Sequence, residues 1–277
     1  MKKKLSILLS LMCMCCLAAA LLVGCSSSAE EEEEAEEYST AEGTVLVLGF
    51  DADFPPFGYV GDDGEYTGFD LDLAAEACDR LGWELELSAI DWDSKDSLIE
   101  SGTISCIWNG FTLEGREDQY TFTSAYYSNS QVILTKEDSG IESLEDLADK
   151  VVLAQVNSAA YDLLSDEGDQ AELAATFASL ETIADYNTGF MQLESGAVDA
   201  IAMDLPVAEN LIADEEGYVI LDEQLSTESY AVGFKLGNTA QAEAIEEVLV
   251  EMYEDGTVEE IAANYDAINM ENWILTE

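Results

Sequence analysis

Cations are scarce in this chain, so the placement of each one raises a chemical question. Among 277 residues there are 9 Lys+Arg against 60 Asp+Glu, no histidine, and a formal net charge of −51. Arg116 lies in NGFTLEGREDQYTFTSAYY (109–127). A guanidinium is planar and permanently charged, and it can hold a carboxylate through two parallel hydrogen bonds, which suits a partly buried anion site. Spacing alone also allows a surface arginine paired with Glu117 or Asp118. Asp204 closes the apolar run VDAIAMD just before Leu205-Pro206, where an aspartate is a good helix N-cap. General-base chemistry by histidine is excluded, and no GxSxG nucleophile motif occurs. Cys78 and Cys106 have no CxxC spacing, so they form neither a metal site nor a disulfide framework and read as buried thiols, with a single bridge between them as the alternative.

These groups must be positioned by alternating strands and helices. TVLVLGF (44–50) is an apolar run of buried-strand length. GFDLDLAAEACDRLG reads as a helix with Asp70 at the N-cap, an apolar face of Leu71, Ala74, Ala75, Cys78 and Leu81, and Gly82 as the stop. ELELSAI alternates with period two, and a helical SKDSLIESG leads into the strand ISCIWNG. Further on, VVLAQ, VDAIAMD and YVILD read as strands, with helices at AAYDLLSD, GFMQLESG and PVAENLIAD. Such alternation predicts mostly parallel sheets with crossover helices. SLIESGTISCIWNG (97–110) and MQLESGAVDAIAMD (191–204) echo one another as helix, Glu-Ser-Gly and strand. Two lobes built alike would bring their strand ends, Asn109-Gly110 and Asp204, to a shared cleft, where open α/β sheets place ligands.

The N-terminus is a separate matter. MKKK, the apolar run LSILLSLMCMCCLAAALLVG and Cys25 have the order of a signal peptide, 1–24. LVGC resembles the bacterial lipobox, which makes Cys25 the lipidation site. Loss of Lys2, Lys3 and Lys4 lowers the cation count from 9 to 6 and the net charge from −51 to −54. That surface repels nucleic acid and anionic lipid, so membrane attachment falls to the lipid anchor. Residues 25–43, rich in glutamate and serine, read as an acidic, extended tether.

GFDADFPPFGY, GEYTGFDLDLAAEACDRLGW, DWDSKDSLIESGTISCIWNGFT, GRED with YTFTSAYY, SLEDLADKVVLAQ, LESGAVDAIAMDLPVAE and EDGTVEEIAANY follow one another from 44 to 266. Taken in that order they resemble the extracytoplasmic amino-acid-binding proteins of ABC importers, solute-binding family 3. The resemblance implies a two-lobed α/β fold of the type II periplasmic-binding-protein kind, with two hinge strands and a ligand cleft between the lobes. Carried onto this chain, lobe one is 44–134 plus 229–277 and lobe two is 137–226, with crossings at QVILTKED and STESYAVGF.

The same resemblance implies the site residues. Arg116 takes the carboxylate of a free amino acid and Asp204 its ammonium. Gly110 and Thr112 supply backbone and hydroxyl donors from lobe one, and Ser158 supplies them from lobe two. Asp51, Phe54 and Trp108 form the side-chain pocket, with Phe57 in the core beside it; Asp51 favours a polar or basic side chain. The chain departs from the family pattern in a loop between Thr112 and Arg116 that is one residue short, and in Ala159, which stands where a second hydroxyl is usual. The implied function is amino-acid capture outside the cell membrane and delivery to permease subunits by hinge closure, as a monomer without cofactor or catalysis. The alternatives are an enzyme of dehydratase type on the same scaffold and a ligand-sensing domain.

Overall fold

The computed structural model describes residues 38–276. The signal segment, Cys25 and the tether up to residue 37 lie outside the described residues. Residues 39–43, expected in the tether, are bound to lobe one: Gln241 Nε2 donates to the Ser39 carbonyl at 2.9 Å and Gly43 N–H to Gly82 at 2.7 Å.

Lobe one opens with β1 (Val45–Phe50) and a small antiparallel sheet of β2 (Asp53–Phe54), β3 (Gly58–Val60) and β4 (Tyr66–Thr67). α1 spans Phe69–Leu81 and stops at Gly82, whose φ of 66° lets the chain turn left-handed. Its N-cap is Gly68 at φ 143°, where a Cβ would stand 2.3 Å from the Phe57 carbonyl oxygen. Asp70, expected at the cap, therefore falls inside the first turn and is fully buried. β5 (Glu84–Ala89), α2 (Lys95–Glu100), β6 (Cys106–Ile107) and β7 (Tyr120–Phe122) follow.

The long strand β8 (Tyr127–Lys136) carries the chain into the second sheet. There come β9 (Val151–Gln155), α3 (Ala159–Leu164), α4 (Ala171–Ala174), β10 (Ser179–Ile183), α5 (Tyr186–Ser195), β11 (Ala200–Asp204), α6 (Leu205–Ile212) and β12 (Tyr218–Ile220). β13 (Ser226–Tyr230) pairs antiparallel with the start of β8, and these paired strands form the two crossings between lobes. β14 (Gly233–Lys235), α7 (Thr239–Glu254) and α8 (Thr257–Ala262) complete lobe one. α7 buries Ile245, Val248, Leu249 and Met252, a helical stripe facing α1 and α8; each fully buried side chain of this kind stabilises by about 1.5–3 kcal/mol.

The sheets run β5-β1-β6-β14-β7 and β10-β9-β11-β8-β12. They are mixed, not mostly parallel. The βα units give parallel pairs at β5-β1-β6 and β10-β9-β11, but β14 returns from the second lobe and β8 runs out of the first, so both meet their sheets antiparallel. The internal echo has a topological basis. β6 and β11 are each the central strand of their sheet, parallel to one neighbour and antiparallel to the other, and both deliver their C-terminal ends to the cleft. Cys78 and Cys106 are buried free thiols.

Candidate functional site

Side-chain bonds join the two lobes across the cleft. Gln155 Nε2 donates to Asp51 Oδ2 at 2.5 Å, Asn187 to Asp53 at 2.8 Å, Asn157 to Asp93 at 2.7 Å, and Lys95 Nζ to the Asn157 carbonyl at 3.1 Å. Beneath them lies a small, partly closed cavity between the lobes. Of the positions expected to bind, Asp51, Phe54, Gly110, Thr112, Arg116, Ser158 and Asp204 line it.

Trp108 does not line it. Successive residues of an extended segment face opposite ways, and Asn109, not Trp108, turns toward the cavity. The Trp108 ring is fully buried and packs at 6.5 Å from Tyr126 in lobe one. Asn109 Oδ1 accepts from Asp51 N–H at 2.9 Å and so ties the two strand ends together.

Arg116 is 8% exposed. Its guanidinium sits 5.4 Å from the Phe111 ring centroid, donates to the Thr112 carbonyl at 3.3 Å, and pairs with Asp162 of α3 at 2.7 Å. The surface pairing with Glu117 or Asp118 does not occur, because the turn carrying Arg116 N–H to the Leu113 carbonyl folds the side chain inward. Lys95, 3% exposed, is a second cation at the cleft rim, 5.3 Å from the Trp92 ring centroid. The scarcity of cations that singles out Arg116 applies equally to Lys95, whose place at the cleft only the fold reveals.

Asp204 occupies the N-cap position of α6 but makes no capping bond. Its Oδ1 turns back to accept from Tyr230 OH at 2.5 Å, Gln131 at 2.7 Å and Asn129 at 2.9 Å. The same two amides donate to Glu228 Oε1, which also accepts from the Thr112 hydroxyl at 3.1 Å. Burial raises both acids. Glu228 reaches about 7, with the Asp204 charge adding to the rise and the amide bonds opposing it. Glu228, Asn129 and Gln131 were not legible as site residues, since only strand pairing brings them to Asp204.

Gly110 has φ 57°, and a Cβ there would stand 3.0 Å from Phe54 and 3.1 Å from Tyr230. Its N–H is not a free donor as expected, because buried Asp70 accepts it at 2.6 Å together with Tyr126 OH at 2.8 Å. The Thr112 hydroxyl is likewise engaged, with Glu228. Ser158 caps α3, its Oγ accepting from Tyr161 N–H at 3.1 Å, and presents the start of that helix to the cavity. Phe54 lies 6.0 Å from Tyr186 and 5.8 Å from Phe57; Phe57 itself is fully buried in the aromatic core. Burial lifts the Asp51 carboxyl to about 6, against bonds from Asp53 N–H and Gln155.

Residues 46–267, which hold both sheets and the whole cavity, match the family model of the bacterial extracellular solute-binding proteins, family 3. The chain belongs to that family. Among similar members, the L-cystine-binding protein TcyJ of Escherichia coli (strain K12) is 27% identical over 227 residues, covering 80% of this chain and 82% of its own. The arginine-binding extracellular protein ArtP of Bacillus subtilis is 28% identical over 222 residues, 78% of this chain and 84% of its own. The crystal structure of an ABC uptake transporter substrate-binding protein from Streptococcus pneumoniae with bound histidine superposes with a TM-score of 0.77 at 30% identity, covering 81% of this chain and 93% of that one. This solute-binding protein thus shares its two-lobed α/β architecture with proteins named for binding amino acids.

Proposed function

We propose that this protein captures a free amino acid outside the cell membrane and passes it to the permease subunits of an ABC importer. The carrying observation is the opposition, around one cavity, of the Arg116 guanidinium and the buried Asp204 carboxylate. A small zwitterion offers a carboxylate to the first and an ammonium to the second, and each of its charges needs such a partner once water is excluded. Asp51, with Asp53 and Asp185 adding negative potential, supports a polar or basic side chain on the ligand. The cystine, arginine and histidine bound by the three relatives agree with that preference.

The lobes open and close about β8 and β13, the strands at which the chain passes between the two sheets, and the closed form docks on the permease. We read the protein as a monomeric lipoprotein acylated at Cys25, acting as a binding protein and not an enzyme. A thermal-shift screen against the twenty amino acids, followed by calorimetry, tests the reading. At least one polar or basic amino acid is expected to raise the melting temperature and bind with a micromolar Kd; no shift with any of them overturns it.

A further inference from the structure

Asp204 and Glu228 flank β8 from opposite sides. In the strand register Asp204 stands opposite Gln131 and Glu228 opposite Asn129, so both amides lie on one face between the two acids. Gln131 Nε2 is 2.7 Å from Asp204 Oδ1 and 2.7 Å from Glu228 Oε1, and Asn129 Nδ2 bridges the same oxygens at 2.9 and 2.8 Å. The two oxygens therefore lie within about 5.4 Å of each other, where like charges out of water repel strongly. The cations lining the cleft and its rim are engaged elsewhere, Arg116 with Asp162 and Lys95 with Asp96. Asn129 Oδ1 and Gln131 Oε1, beside the pair, are buried with no hydrogen-bond donor. A ring of acceptors with two carboxylates and no protein cation is completed either by a proton or by a group with several N–H donors and a positive charge.

We propose that Asp204 and Glu228 form one ammonium receptor, which holds a single shared proton in the ligand-free protein and releases it to solvent when the ammonium of an amino acid binds. The inference rests on the amino-acid reading and adds Glu228 to it as the residue that couples affinity to pH. Tyr230 and Tyr186 face the pair as neutral phenols, their protons held more tightly by burial and, beyond it, by the two acids. On the side of Glu228, Glu114 and Arg116 from lobe one and Asp162, Glu167 and Asp169 from lobe two line the adjoining groove. Asp51, lifted to about 6, is the other cleft group that titrates in the same range, so a variant must separate it from the pair.

Calorimetry of the purified protein with L-arginine, L-glutamine and L-cystine, at pH 7 in buffers of different ionisation enthalpy, counts the protons released. With a pair titrating near 7, about half a proton should leave per bound amino acid, and Kd should tighten about tenfold between pH 6 and pH 8. Glu228→Gln, which keeps the shape and removes the second charge, should abolish the release and flatten the pH dependence. Binding by the native protein with no proton release and a constant Kd overturns the proposal, as does release by Glu228→Gln equal to that of the native protein. If Glu228→Gln fails to fold, Asp51→Asn separates the two groups: release that persists in it comes from the pair, and release that disappears in it belonged to Asp51 and overturns the proposal. Absence of binding by all twenty amino acids is a different failure, which removes the amino-acid reading and the proposal with it.

Discussion

Nη2 of Arg116 lies 2.7 Å from Oδ2 of Asp162, so the turn after β6 in lobe one is held to α3 of lobe two by an ion pair across the cleft. The guanidinium is nearly buried, whereas the Asp162 side chain is 59% exposed. The asymmetry separates what the two residues do. Arg116 is a fixed charge within the cavity, and Asp162 is its solvent-facing partner.

Arg116→Ala is expected to abolish micromolar amino-acid binding. Losing one member of a buried, hydrogen-bonded charge pair costs about 2–5 kcal/mol, or roughly 30- to 4,000-fold in Kd. Calorimetry measures the loss, and circular dichroism checks that the fold survives; unchanged affinity in a folded variant refutes the assignment of Arg116 to the ligand.

Asp162→Asn should matter far less. An exposed ion pair contributes about 0.2–1 kcal/mol, and salt screens it further. The expected change in Kd is no more than about fivefold, with a measurable dependence on ionic strength in the native protein that the variant lacks. A loss as large as that of Arg116→Ala would mean that closure depends on this pair.

Gly110→Ala places a methyl group where φ is 57° and where Phe54 and Tyr230 stand at 3.0 and 3.1 Å. A left-handed backbone costs a residue with a Cβ about 1–2 kcal/mol, and displacement of Phe54 should disturb the cavity wall. Urea unfolding is expected to show a lower midpoint with an unchanged slope, and amino-acid affinity should fall in parallel. Wild-type stability in the variant would show that the turn relaxes without strain.

Stability should rise as the solution is acidified from pH 8 to pH 5.5. Burial lifts Asp70 from 3.8 to about 7, Glu228 from 4.5 to about 7 and Asp51 from 3.8 to about 6. Each of these carboxyls binds its proton more tightly folded than unfolded, so each favours folding below its ordinary value and loses that contribution as pH climbs through the raised one. Asp255, held down to about 2 by Thr257 and Arg80, opposes the trend only below its ordinary 3.8, outside this window. Calorimetric melting should be several degrees higher at pH 5.5 than at pH 8 and less pH-dependent in Asp70→Asn; a melting temperature that falls on acidification contradicts the burial of these groups.

Much of the architecture was legible in the sequence because it depends on local patterns. Apolar runs of strand length, a helix ended by Gly82, and the paired Glu-Ser-Gly segments are properties of short stretches, and they placed Asn109-Gly110 and Asp204 at strand ends before any contact was known. The scarcity of cations pointed at Arg116, and the ordered motifs from 44 to 266 pointed at the family. The hydrogen-bond partners of those residues were not legible in the same way. Asp70 read as a cap because Ser, Asp and Asn before an apolar run usually are caps, but the approach of the Phe57 carbonyl requires Gly68 there and sends Asp70 into the interior to hold Gly110. Trp108 and Asn109 are adjacent in sequence and face opposite sides, a choice made by which side of β6 meets the cleft. Glu228 is separated from Asp204 by 24 residues and from Asn129 by 99, and no local rule relates them; only the antiparallel register of β8 with β11 and β13 sets the acids and amides side by side. Residue type and spacing determined which groups were available for chemistry, and long-range strand pairing decided which of them meet, because a buried charge is set by its neighbours in space.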